Sequence, residues 1–127
     1  MPWDIQYQAG KQTLVVTTRG PMSDEEANEL AAKAIALLKE THATRILSDC
    51  RRMAPAPSLA TVWWMVHGYS HRGLPRETRI AVVQPRSRRA AELGEFYETV
   101  CYNRNYQAKT FSSPTDAEAW LQSPRSA

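Results

Sequence analysis

Two clusters of residues in this chain have types and spacings that could do chemistry. Asp49, Cys50, Arg51 and Arg52 stand together near the middle, and Arg86, Ser87, Arg88 and Arg89 form a second, more basic group. Guanidinium groups meet phosphate or carboxylate through paired hydrogen bonds. A serine that opens a helix adds unpaired backbone amides, which also favour an anion. The competing reading is a solvated basic surface, balanced one turn on by Glu92 and Glu95. No glycine-rich loop accompanies either group to cradle a phosphate.

A second set lies between them. Cys50 would be a nucleophile only with a base in reach, and His67 is the available one. His67 and His71 are four apart, which could set two imidazoles on one metal ion. No Glu adjoins the first and no third ligand falls at a matching spacing, so no metal or cofactor is expected. Trp63, Trp64 and Met65 adjoin these histidines, and Trp is favoured in protein interfaces. No Ser/His/Asp order, dinucleotide fingerprint or phosphate-binding loop is present, so no enzyme is expected.

The elements that must position these residues follow from periodicity. Residues 3–8 alternate apolar and polar, as a half-buried strand does. Gly10 supplies the turn to a second, more apolar strand over 12–19, which Gly20 and Pro21 end. Ser23 with Glu26 forms a capping box, and Ala27, Leu30, Ala31, Ala34, Ile35 and Leu38 make one helical stripe. A strand over 45–50 gives way to a loop over 51–57 marked by Pro55 and Pro57. Ser58 is then placed to cap a helix closed by Gly73. Leu59, Val62, Trp63 and Val66 are expected to face the core, and Trp64 and Met65 make this helix apolar over most of its circumference.

A strand over 79–84 (RIAVVQ) follows, and Ser87 caps a third helix with the stripe Leu93, Phe96, Tyr97 and Val100. The last strand covers 107–111. Ser113 and Pro114 open a fourth helix, packed down by Ala117, Trp120 and Leu121. The order ββαβαβαβα predicts a single α/β domain over 1–122, with a mixed, mostly parallel sheet and flanking helices. Residues 123–127 read as a frayed tail. Both charged clusters then fall at the carboxyl ends of strands, where open α/β sheets bind ligands.

The 127 residues carry a net charge of +3, too mild a balance to imply nucleic acid. The longest apolar runs fall far short of the ~18 residues a membrane-spanning helix needs. Two cysteines without Cys-x-x-Cys spacing fit a reduced, cytoplasmic protein.

The strand RIAVVQ and the closing SSPTDAEAWL helix, set in this element order, resemble the SpoIIAA-like branch of the STAS superfamily. The resemblance covers almost the whole chain and implies a non-enzymatic regulatory or ligand-binding domain. STAS relatives include anti-sigma antagonists, sensor modules and transporter tails. In the antagonists a phosphorylatable serine, in an Asp-Ser-x-Gly context, starts the helix after the middle strand. Ser58 falls near that place but lacks the Asp and the Gly, so a plain cap stands beside a phosphorylation site as its reading. The function expected is a protein-interaction module meeting a protein partner, or a second copy of itself as a homodimer, through residues 58–73. The alternative is a carrier or sensor holding a small apolar or anionic ligand between that helix and the sheet.

Overall fold

The computed structural model describes residues 2–124. Five strands form one sheet in chain order. β1 (Trp3–Gln8) and β2 (Thr13–Arg19) are an antiparallel hairpin, and β3 (Arg45–Arg52), β4 (Arg79–Val83) and β5 (Gln107–Phe111) add to it in parallel. α1 (Asp24–Thr41), α2 (Leu59–His71) and α3 (Arg88–Asn103) connect successive parallel strands, and α4 (Pro114–Gln122) follows the last. The mixed, mostly parallel sheet and the ββαβαβαβα order are those expected.

Register divides the molecule into layers. Leu14 stands opposite Ile46, and Ile46 opposite Ile80, so the three share a face. On that face they pack with Ile35 and Leu38 of α1, Val62 and Val66 of α2, and Tyr97 and Val100 of α3. One residue along, Ala81 and Val83 turn to the other face, where Ala117 and Leu121 of α4 cover them. Fully burying each large side chain contributes about 1.5–3 kcal/mol. The two-residue period of the strands thus assigns three helices to one face and one to the other.

The helix starts are local. Ser23 Oγ accepts from the Glu26 amide at 3.1 Å, and Glu26 Oε1 accepts from the Ser23 amide at 2.9 Å. Ser58, Ser87 and Ser113 are the N-caps of α2, α3 and α4.

Four expectations are corrected. In the first turn a 3-10 segment spans Ala9–Lys11, and the left-handed residue is Gln12 (φ 50°), not Gly10. β3 runs two residues further than expected, through Arg52, whose carbonyl accepts from the Gly20 amide at 2.8 Å and so extends the pairing with β2. On α2 the buried residues are Val62, Val66 and Tyr69, whereas Leu59 is 53% and Trp63 38% exposed. A helix apolar nearly all round gives periodicity little to choose between.

The fourth correction concerns the tail. Arg79 donates from Nη1 to the Trp120 and Ser123 carbonyls at 2.7 and 2.9 Å, and from Nη2 to Pro124 at 3.4 Å. Arg45 Nε adds a bond to the Leu121 carbonyl at 2.7 Å. Two guanidinium groups therefore bond to carbonyls at and just beyond the end of α4, where the Trp120 carbonyl also accepts from the Ser123 amide and hydroxyl, and residues 123 and 124 are held. Residues 125–127 of the expected tail lie outside the described residues.

Candidate functional site

The face shared by α1, α2 and α3 does not fill. Ala27, Ala31 and Ala34 occupy three inward positions of α1, and Thr18, Ser48 and Cys50 occupy inward positions of the sheet. Gly94 stands on α3 where a larger side chain would close the gap. These small residues come from α1, the sheet and α3, and together they leave a cavity of about 210 Å³. Protein interiors ordinarily hold few voids larger than a water molecule. An apolar cavity of about 150 Å³ already takes a benzene-sized guest.

Val62 and Met65 of α2 line the cavity on one side, Val16 and Val82 of the sheet line another, and Leu93 and Tyr97 of α3 complete it. The loop after β3 contributes Met53 and Pro55–Pro57. Among the described residues, no Asp, Glu, Lys, Arg or His lines the cavity. The polar groups are few and mostly engaged. Tyr69 and Tyr97 share a hydrogen bond of 2.9 Å between their hydroxyls. Ser48 Oγ and Cys50 Sγ are 3.4 Å apart. Thr18 Oγ1 donates to the Asp49 carbonyl at 3.3 Å. An apolar concavity with a few convergent polar groups is the ordinary form of a small-molecule site.

Burial pushes the Cys50 thiol above its usual range, against the smaller opposing effect of its Ser48 contact. Burial likewise pushes Cys101 up to about 12. A nucleophilic cysteine needs the opposite shift. His67 is held in an aromatic stack, with its ring 5.1 Å from Trp63 and parallel to it, 5.8 Å from Trp64 and 5.4 Å from His71. Among the described residues, no three His, Cys, Asp or Glu side chains gather as a metal site.

The predicted interaction residues divide between two sides of α2. Trp64 is 62% exposed and Trp63 carries the Arg104 guanidinium over its ring at 5.6 Å. Met65, expected on the same outer face, instead turns inward and lines the cavity.

The arginine clusters do stand at the carboxyl ends of neighbouring strands. Arg51, however, is engaged: its Nε and Nη2 donate to the two Asp49 carboxylate oxygens at 3.0 and 2.8 Å. That hydrogen-bonded partner holds the Asp49 carboxyl below its usual range. Arg52, Arg86, Arg88 and Arg89 are exposed, and Ser87 Oγ is occupied by the Ala90 amide at 3.1 Å. Ser58 is occupied in the same way. Its Oγ accepts from the Thr61 amide at 3.1 Å and meets Thr61 Oγ1 at 2.9 Å, and that hydroxyl donates to Asp24 at 2.7 Å. A phosphate on Ser58 would enter a chain that already ends in a carboxylate.

Sequence reasoning missed Gln84 and Gly94, both in the cavity wall. A Cβ on Gly94 would stand 2.8 Å from both the nitrogen and the oxygen of the Gln84 side-chain amide. The available signals were a glycine inside a helix, where it costs about 1 kcal/mol relative to alanine, and an alanine-rich inward stripe on α1.

Comparison with known proteins bears on the fold. The family model described as SpoIIAA-like matches residues 13–122. The crystal structure of an uncharacterized protein from the DUF3478 family with a SpoIIAA-like fold, from Shewanella loihica PV-4, is similar at a TM-score of 0.63 and 17% identity. That likeness covers 94% of this chain and 93% of the other. A more distant likeness, at a TM-score of 0.43 and 15% identity, is to a chain in the crystal structure of diguanylate cyclase SiaD in complex with its activator SiaC from Pseudomonas aeruginosa. It covers 84% of this chain and 88% of that one. No curated protein matches the sequence.

Proposed function

This chain belongs to the SpoIIAA-like family, and on that footing we propose that it is a non-catalytic binding domain whose ligand is a small apolar molecule held beneath α2. The observation that carries this reading is the cavity of about 210 Å³, lined by uncharged residues from the sheet and three helices. Leaving it empty forfeits dispersion contacts along its whole wall. A fitting guest restores them and removes apolar surface from water. An anion at the exposed Arg52, Arg86, Arg88 and Arg89 is the less supported ligand, because Ser87 is committed to its cap and Arg51 to Asp49.

A second reading rests on the opposite side of the same helix. Leu59, Trp63 and Trp64 are exposed together on α2, and large aromatic residues are where binding energy concentrates in interfaces. This supports a protein partner or a second copy of the chain. No helix among the described residues is long and apolar enough to cross a membrane. The two cysteines are unpaired, which fits a reducing, cytoplasmic setting.

A native mass spectrum of gently purified protein tests both readings. A monomer carrying reproducible extra mass, released on unfolding, is expected. A bare monomer that also fails to enhance the fluorescence of N-phenylnaphthylamine would overturn the cavity reading. A dimer dispersed by Trp64→Glu would establish the second.

A further inference from the structure

The chemistry of the cavity wall narrows the class of ligand, if the reading of the cavity as a binding site holds. Among the described residues no Asp, Glu, Lys, Arg or His lines it, so a charged guest would find no counter-charge there, and burying an unpaired charge is costly. Two carboxylates stand just behind the lining instead. Asp24 accepts from Thr61 at 2.7 Å, and Glu98 Oε2 accepts from Thr110 Oγ1 at 2.6 Å. Both threonines line the cavity, so these two carboxylates disfavour an anion beside them. Thr61 and Thr110 are themselves spent on these bonds.

One polar group in the wall differs. Among the described residues the Gln84 backbone amide bonds to the Phe111 carbonyl at 2.9 Å, but its side-chain amide makes no hydrogen bond. It lines the cavity and lies on the bare α-carbon of Gly94, where a Cβ would stand 2.8 Å from its nitrogen and oxygen. A side-chain amide offers both donors and an acceptor. Gly94 therefore lets a neutral, two-way hydrogen-bonding group sit at the wall of an otherwise apolar space.

We infer that the ligand is an uncharged molecule with an apolar body and one hydrogen-bonding head, such as an alcohol, ketone or amide, set against Gln84, and not a fatty-acid anion. The carboxylate of such an anion would meet neutral groups already engaged with one another and the Gln84 amide, where it needs several free donors or a cation. An alcohol of the same chain length leaves nothing unpaired.

Displacement of N-phenylnaphthylamine, an uncharged fluorophore, measures this directly with n-octanol, octanamide and octanoate as competitors. Well above the carboxylate range, octanol and octanamide should displace the dye at concentrations about tenfold or more below octanoate. The gap should close as falling pH protonates the acid. Gln84→Leu should lower the affinity for octanamide relative to the dye about fivefold. Gly94→Ala, which gains helix propensity and displaces the amide, should do the same without loss of fold. Octanoate equal to octanol at high pH, or a head-group preference unchanged in both variants, would overturn the inference while leaving the cavity reading intact. Absence of saturable dye binding would overturn the cavity reading, and this inference with it.

Discussion

The hydroxyls of Tyr69 on α2 and Tyr97 on α3 meet at 2.9 Å with both residues buried, tying the two helices together beside the cavity. One phenol donates to the other, and burial pushes both well above the usual tyrosine range. Tyr97→Phe strands the Tyr69 hydroxyl in an apolar setting and should destabilise the protein by about 1–2 kcal/mol. The double variant Tyr69→Phe/Tyr97→Phe removes both partners and should cost less than the sum of the single changes. Urea unfolding of the four proteins reads the coupling, and strict additivity would count against it.

Arg79 fastens α4 from beneath. Its guanidinium bonds to three carbonyls at the end of that helix and lies over the Trp120 ring at 5.3 Å. Arg79→Met should destabilise the protein by about 2–3 kcal/mol, since bonds from a charged donor are the stronger ones. Amide hydrogen exchange should rise in α4 more than in α1. An equal rise in both helices would show that Arg79 acts on the whole fold, not on this clamp.

Ser58→Ala should cost about 1 kcal/mol by uncovering the Thr61 amide. Ser58→Asp restores a capping oxygen but sets a second carboxylate close to Asp24 through the Thr61 hydroxyl. It should recover stability only partly at low salt, and more fully once the repulsion is screened. Thermal denaturation at two salt concentrations separates the two effects.

The Asp49–Arg51 pair predicts a small acid-dependent term. Its partner depresses the folded carboxyl below the unfolded value of about 3.9. Its stabilising contribution is therefore complete above that value and is lost as pH falls through the lower, folded one. The pair is largely exposed to water, so screening keeps the effect small. Asp49→Asn should unfold more easily than the parent near neutrality, and the two stability curves should converge in acid.

What the sequence could express was whatever is local. Ser23, Ser58, Ser87 and Ser113 are legible because an N-cap acts on an amide three residues on, and the strands are legible through their alternation. The orientation of α2 was not, because Trp63 and Val62 are both apolar and only the packed neighbours choose between them. The bond from Arg79 to Trp120 joins residues far apart in the chain, so its role in holding residue 123 leaves no local trace. The cavity is less legible still. It is a sum of small side chains on α1, the sheet and α3, and of these only Gly94, inside a helix, is unusual where it stands. Cys50 and the arginines drew attention as reactive types, yet Cys50 is a wall residue and Arg51 is satisfied by a neighbour two positions away.

The most direct measurement is a methyl-resolved NMR titration of the protein with n-octanol. Saturable shifts are expected in the methyl signals of Met65, Val62, Leu93 and Val82, which line the cavity, with the exposed Trp64 indole unmoved. Saturation should occur at one molecule per chain, and Ala34→Phe, which fills the space, should abolish it. Shifts confined to Trp63 and Trp64, or a response that never saturates, would contradict it.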